Sequence, residues 1–234
     1  MAMISISTSK NDQGRAASVF SKHLNELGYR HAYIGGFAWS LLGSTRPTEI
    51  NVLIEVTDVD IPTLREKIAQ LDSHFARAGI KFYFVKEPQP ELQEDELVRV
   101  SRHNVMIETL QTGRIGLPTT AGPTYLVPHE ETGESFAILH PSVLILTKLK
   151  RWAQNHDSTR PKTVLKNKSD QNDLDYIIYW LAENHLPIGF DDYQGKGKDE
   201  LLGFVRTYRN KFAENQELME TLQSLVEPLD WDNL

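Results

Sequence analysis

The stretch 33–55, YIGGFAWSLLGSTRPTEINVLIE, decides how the rest of this chain is read. Tyr33 and Ile34 predict a short strand running into Gly35-Gly36, and residues 37–42 predict a short helix that stops at Gly43. Two glycines at a strand-to-helix turn leave backbone N–H groups free at the helix start. They also remove the side chains that would keep a ligand at a distance, a common way to hold phosphate. Residues 50–56 (INVLIEV) then read as a strand, with Ile50, Val52, Ile54 and Val56 on one face and Asn51, Leu53 and Glu55 on the other. Arg46 and Thr48 lead into it, and positions 49 and 51 share a face at its start. Oxygen-bearing side chains spaced i, i+2 at a strand start can hold hard cations against phosphates. Each feature also has a purely structural reading: Gly35-Gly36 as a tight turn, Asn51 and Glu55 as the polar side of a half-buried strand.

Upstream, residues 12–27 predict a helix with Ala16, Phe20, Leu24 and Leu27 on one face and Gly28 after it. Downstream, residues 62–78 predict a second helix whose stripe is Leu64, Ile68, Leu71 and Phe75. Residues 81–86 and 102–110 read as strands, and the acidic, proline-containing run 87–96 (EPQPELQEDE) as a surface loop between them. Past His140-Pro141 the chain turns helical: 142–153, 170–183 with Asp170 as N-cap, and one long or broken helix over 198–226, with a polar loop at 155–169. This order predicts an α/β (α+β) protein, a mixed sheet flanked by helices followed by a helical subdomain, divided as 1–135 and 136–234.

With 234 residues, 40% hydrophobic and 24% charged, the chain is long enough for one sizeable core or two small ones. Zero cysteines exclude a disulfide frame, a thiolate zinc site and a thiol nucleophile. No apolar run approaches membrane-spanning length and residues 1–10 lack signal-peptide order, so a cytoplasmic protein is expected. The net charge of −7 argues against a general nucleic-acid binder. The segment 148–168 runs against that total, with seven Lys/Arg and a single acid, Asp157. It reads either as a solvated helix and loop or as a patch for a phosphate-rich ligand, and it is the one route by which nucleic acid could be met. No P-loop, dinucleotide-binding, nucleophile-elbow or H-E-x-x-H pattern occurs.

The 33–55 stretch resembles the nucleotidyltransferase superfold, in particular the branch with a G-G-x-A…G…R-x-T-x-D-x-D signature that includes the AbiEii toxin-like nucleotidyltransferases. Gly35, Gly36, Ala38, Gly43, Arg46 and Thr48 fall where that signature has them. The resemblance implies a small mixed sheet joined to a helical C-terminal domain, with Mg²⁺ as cofactor, an NTP as substrate and an unknown hydroxyl acceptor. It implies a catalytic and metal-binding set of Glu49, Asn51 and Glu108, the last from the neighbouring strand on which Asn104, Met106 and Glu108 share a face. Gly35, Gly36, Ser44, Arg46, Thr48, Lys148, Lys168 and Asp173 would bind the nucleotide, the last three by likeness to the family's K…R…K…D…D region.

At D-x-D this chain has Glu49 and Asn51. The longer Glu can still bind a metal from a shifted position; Asn keeps a carbonyl oxygen but loses the charge that would bridge two cations. Three readings follow. In the first, Mg²⁺-dependent nucleotidyl transfer survives. In the second, the fold is retained as a ligand-binding or protein-interaction module without transfer. In the third, the cleft is reused for metal-free acid/base chemistry by Glu49 or Glu108. Glu108 has a bland alternative as a salt-bridge partner of Arg46, Asp170 as a helix cap, and Asp173 as a partner of Lys168. Trp39, Trp152, Tyr176 and Trp180 read as packing residues more readily than as a stacking platform.

Overall fold

The computed structural model describes residues 4–45, 49–120 and 122–234. Its first unit comprises Met1–Thr112 and Leu126–Ile138, its second Gly113–Tyr125 and Leu139–Leu234. In the first, α1 (Lys10–Glu26) starts at Ser9, whose side chain accepts the Asp12 N–H, and it buries Ala16, Ala17, Phe20 and Leu24. After β1 (His31–Ile34) come α2 (Gly35–Leu41), β2 (Ile50–Ile54), α3 (Ile61–Leu71), β3 (Phe75–Ala78), β4 (Lys81–Phe84), α4 (Glu94–Val100) and β5 (Val105–Gln111). Then β6 (Thr124–His129) and β7 (Glu134–Leu139) complete a seven-stranded mixed sheet, ordered β3-β4-β5-β2-β1-β7-β6.

The centre of the sheet is where the pairing changes sense: β2 runs antiparallel to β1 and parallel to β5. Both faces of β2 are covered, since Leu53 is as buried as Val52 and Ile54. An aromatic cluster ties α1 to the sheet, with the Phe20 ring 5.6 Å from Phe75 and 6.0 Å from Phe82. The Tyr33 hydroxyl donates to Ala17 O at 2.7 Å. At one end of the sheet the Arg77 N–H of β3 donates to Glu94 Oε2 of α4 at 2.7 Å, and the same carboxylate takes the Arg77 guanidinium. At the other end β6 carries Pro128.

The second unit is built mainly from α5 (Pro141–Asn155), α6 (Pro161–Glu183), α7 (Lys198–Lys211), α8 (Gln216–Ser224) and α9 (Pro228–Asp232). Helix α5 packs on α6 and α7, and α6 on α8. Leu144, Ile145, Leu149, Leu174, Ile177, Ile178 and Leu181 are fully buried among them. Trp152 joins Tyr208 and Phe212 in a ring cluster, and both Trp39 and Trp152 are buried packing residues. Among the described residues no helix is long and apolar enough to cross a membrane.

The structure corrects three sequence-based element boundaries. The helix expected over 62–78 ends at Leu71, because the Asp72 carboxylate takes the His74 N–H and its carbonyl the Phe75 N–H, turning the chain into β3. Phe75 therefore reaches the core from a strand, while Leu71 is exposed. The acidic run expected as loop continues into α4 at Glu94. The loop expected over 155–169 is helical from Pro161, so Asp170 lies inside α6 and is not its N-cap. Of the two forms expected over 198–226, one long helix or a broken one, the structure has the broken one: α7 ends at Lys211 and α8 starts at Gln216.

Because Phe20 is fully buried between two ring partners, Phe20→Ala should cost about 3–5 kcal/mol of stability. Urea denaturation at neutral pH measures this; a loss below about 1 kcal/mol would show that the cluster does not hold α1 to the sheet.

Candidate functional site

Asn51 stands between two strands. It pairs with Ile34 of β1 on one side and with Glu108 of β5 on the other. Partners in register present their side chains on the same face, so Asn51 and Glu108 lie side by side. Asn51 Nδ2 donates to Glu108 Oε2 at 2.5 Å. The opposite amide orientation would set Oδ1 against a carboxylate with no proton between them, so the pairing fixes the amide. Gly35 follows Ile34, with φ +64°, and a Cβ there would lie 2.6 Å from Asn51 Oδ1. Both its backbone conformation and its neighbour thus require glycine.

Glu49 precedes β2 and, with Glu108, lines a pocket of about 370 Å³ that also takes in Arg65, Ile80, Phe82 and Met106. Arg65 is held in place, its Nε donating to Thr109 Oγ1 at 2.6 Å and its Nη1 to Ile80 O at 2.7 Å. Burial draws the Arg65 guanidinium below its usual pKa, and the negative charge of Glu108 opposes that shift. Gly36 lies in the first turn of α2. Ser44 lies beyond the other end of that helix, where its N–H donates to Trp39 O at 3.0 Å. Arg46 and Thr48 lie outside the described residues. Asn104 is fully buried, its Nδ2 donating to the carbonyls of Val98 and Ser101, so it anchors the start of β5.

No family model and no curated protein matches the chain. Among solved structures, it is similar to the crystal structure of an antigenic nucleotidyltransferase-like protein from Paracoccidioides brasiliensis. That similarity has a TM-score of 0.65 at 17% identity and covers 94% of this chain and 95% of the other. The fold is nucleotidyltransferase-like.

A nucleotidyltransferase-like fold raises the question of whether these side chains suit divalent cations. Mg²⁺ takes carboxylate oxygens in near-octahedral geometry, and a pair of cations needs an anionic bridge between them. Here the middle position turns an N–H toward Glu108, placing a proton donor where a bridging cation would have to sit. Its remaining oxygen faces Gly35. Glu49, Asn51 and Glu108 therefore do not fit a two-cation clamp. An Asp at 51 would face Glu108 as a like charge and would call for a cation or a shared proton between them; the amide satisfies Glu108 without either.

The other predicted residues belong to the second unit. Lys148, from α5, is almost fully buried, and its Nζ donates to Asp173 Oδ2 at 2.6 Å and Asp170 Oδ1 at 3.2 Å. Arg151 closes on Asp170 through Nε at 2.8 Å and through a second, short contact from Nη2. Asp170 and Asp173, three apart on α6, share the face turned to α5, and two acids balance two bases. Asp173 is thus bonded to Lys148, while Lys168 is exposed and, among the described residues, reaches Gln171 Oε1 at 3.4 Å. Burial, reinforced by neighbouring Arg151, holds Lys148 below the ordinary lysine range against the pull of Asp173 and Asp170. Arg151 is the member of the cluster that sequence reasoning missed; its spacing of three from Lys148 on a helix was the available signal.

Two measurements test this description. Gly35→Ala should lose more than about 1–2 kcal/mol, the cost of a left-handed non-glycine residue plus the clash, and should lose less in an Asn51→Ser background. Equal losses in the two backgrounds would show that Asn51 is not what Gly35 accommodates. For Asp170, burial pushes the carboxyl pKa up, and the Arg151 hydrogen bond and Lys148 charge outweigh it, so the net shift is downward. Its stabilisation is then fully present above an unfolded value of about 3.9 and is lost as pH falls through the lower folded value. Asp170→Asn should cost about 3 kcal/mol at pH 7, with the gap to the parent protein narrowing below about pH 3.9; denaturant titrations at pH 7 and pH 3 read it.

Proposed function

We propose that this chain is a nucleotidyltransferase-like protein that no longer operates a two-cation transfer step and keeps the cleft for metal-independent binding of a nucleotide or related small molecule. The hydrogen bond from Asn51 Nδ2 to Glu108 Oε2 carries this reading. It occupies with an internal donor the acid that a metal-dependent transferase would leave for a cation.

The pocket chemistry agrees. Glu49 and Glu108 match the charges of Arg65 and Lys81 in the same pocket and leave no excess positive charge for a triphosphate, while carboxylates accept hydrogen bonds from sugar hydroxyls and from base amino groups. Ile80 and Met106 add apolar surface suited to a base. The cleft therefore favours the nucleoside end of such a ligand. The reading places the chain beside the toxin-like branch named from its glycine signature, with Gly35 retained there to accommodate Asn51.

Calorimetric titration with each of the four NTPs, with and without Mg²⁺, tests the proposal on the parent protein and on Asn51→Asp. The parent protein should bind equally with and without Mg²⁺. Asn51→Asp should gain binding that Mg²⁺ strengthens by at least about tenfold, since an acid pair in place of an amide–acid pair favours a cation. Mg²⁺-strengthened NTP binding with turnover in the parent protein, abolished by Glu49→Ala, would overturn it in favour of an active transferase.

A further inference from the structure

Helices α5 and α6 enclose a pocket of about 250 Å³ within the second unit, lined by Arg151, Lys162, Thr163, Lys166 and Asn167, with Asp170 at its base. Asp170 contributes no free charge, because Lys148 and Arg151 both engage it. Lys162 and Lys166, four apart on α6, are different. Among the described residues neither ammonium has a hydrogen-bond or ion-pair partner.

The placement of these cations is unfavourable for the helix itself. The first turns of a helix carry its positive end and favour acids. Helix α6 has none in its first turn and no side-chain cap at Arg160, and Lys162, Lys166 and Lys168 all follow within nine residues of that end. Cations gathered at the positive end of a 23-residue helix conflict with local electrostatics, and such conflicts concentrate at functional sites. An anion in the pocket would relieve the repulsion between Lys162 and Lys166, meet the uncapped end and lie beside the Thr163 hydroxyl.

We propose that this pocket binds the phosphate of a small phosphate ester through Lys162, Lys166 and Thr163. The site differs from the buried Lys148–Asp170–Asp173 cluster, whose charges are already matched. None of Glu49, Asn51 and Glu108 lines it, so its test is independent of what the first unit's cleft binds.

The probes are inorganic phosphate and ribose 5-phosphate, titrated calorimetrically into the full chain at low salt. Both should saturate with similar affinity, since the phosphate is the group recognised. Lys162→Gln combined with Lys166→Gln should weaken both by at least about tenfold, while Lys168→Gln, outside the pocket, should change them by less than about twofold. Equal weakening by Lys168→Gln would overturn the proposal in favour of diffuse charge attraction. Failure of both probes to saturate at millimolar concentration would also overturn it, as would binding of a single-stranded oligonucleotide in their place.

Discussion

The parallel pairing of β2 with β5 is the constraint on which the first unit's chemistry depends. The two strands are separated by α3, the β3–β4 pair and α4, and only their register brings residues 51 and 108 together. Side chains alternate along a strand, so a slip of one residue would carry Glu108 to the opposite face and leave Asn51 opposite Ile107 or Thr109. The antiparallel pairing of β1 with β2 then sets Gly35 beside the same amide. Asn51 is thereby clamped from both sides, its nitrogen committed to an acid and its oxygen to a position where only glycine fits.

How much of this was legible in the chain varies by element. The strand at residues 50–54 and the helix after the two glycines were plain, because alternation and glycine punctuation are local signals. The slot of Glu108 could be inferred from the i, i+2, i+4 spacing of residues 104, 106 and 108. Its hydrogen bond to Asn51 could not, because it spans 57 residues and exists only in one register. Strand β3 was hidden because Phe75 falls on the helical period of Leu64, Ile68 and Leu71, and the turn at Asp72 is made by a single side chain. Strands β6 and β7 left little pattern, with Leu126 exposed and Pro128 interrupting the alternation.

The second unit shows the same division. The apolar stripe of Leu174, Ile177, Ile178 and Leu181 marks the latter half of α6, but its first half carries Val164 and Leu165 outward among lysines and has no periodic face to read. Once that half is helical, Asp170 moves from cap to interior and turns with Asp173 toward α5. Burying Lys148 without these two carboxylates would strand a charge in the core, so the three residues and Arg151 stand or fall together. Lysines of one segment thus have opposite fates: Lys148 is structural and matched, Lys162 and Lys166 face a pocket.

The two ends of the sheet bear on how this protein can associate. An open strand edge offers a row of unsatisfied N–H and C=O groups that another chain can extend. At β3 the outward Arg77 N–H is already taken by the Glu94 carboxylate, and the strand is only four residues long. At β6, Pro128 has no N–H to offer. Both edges are poor templates for sheet extension, so self-assembly by strand addition is disfavoured, and a protein partner would have to recognise side-chain surfaces in place of the backbone of the sheet.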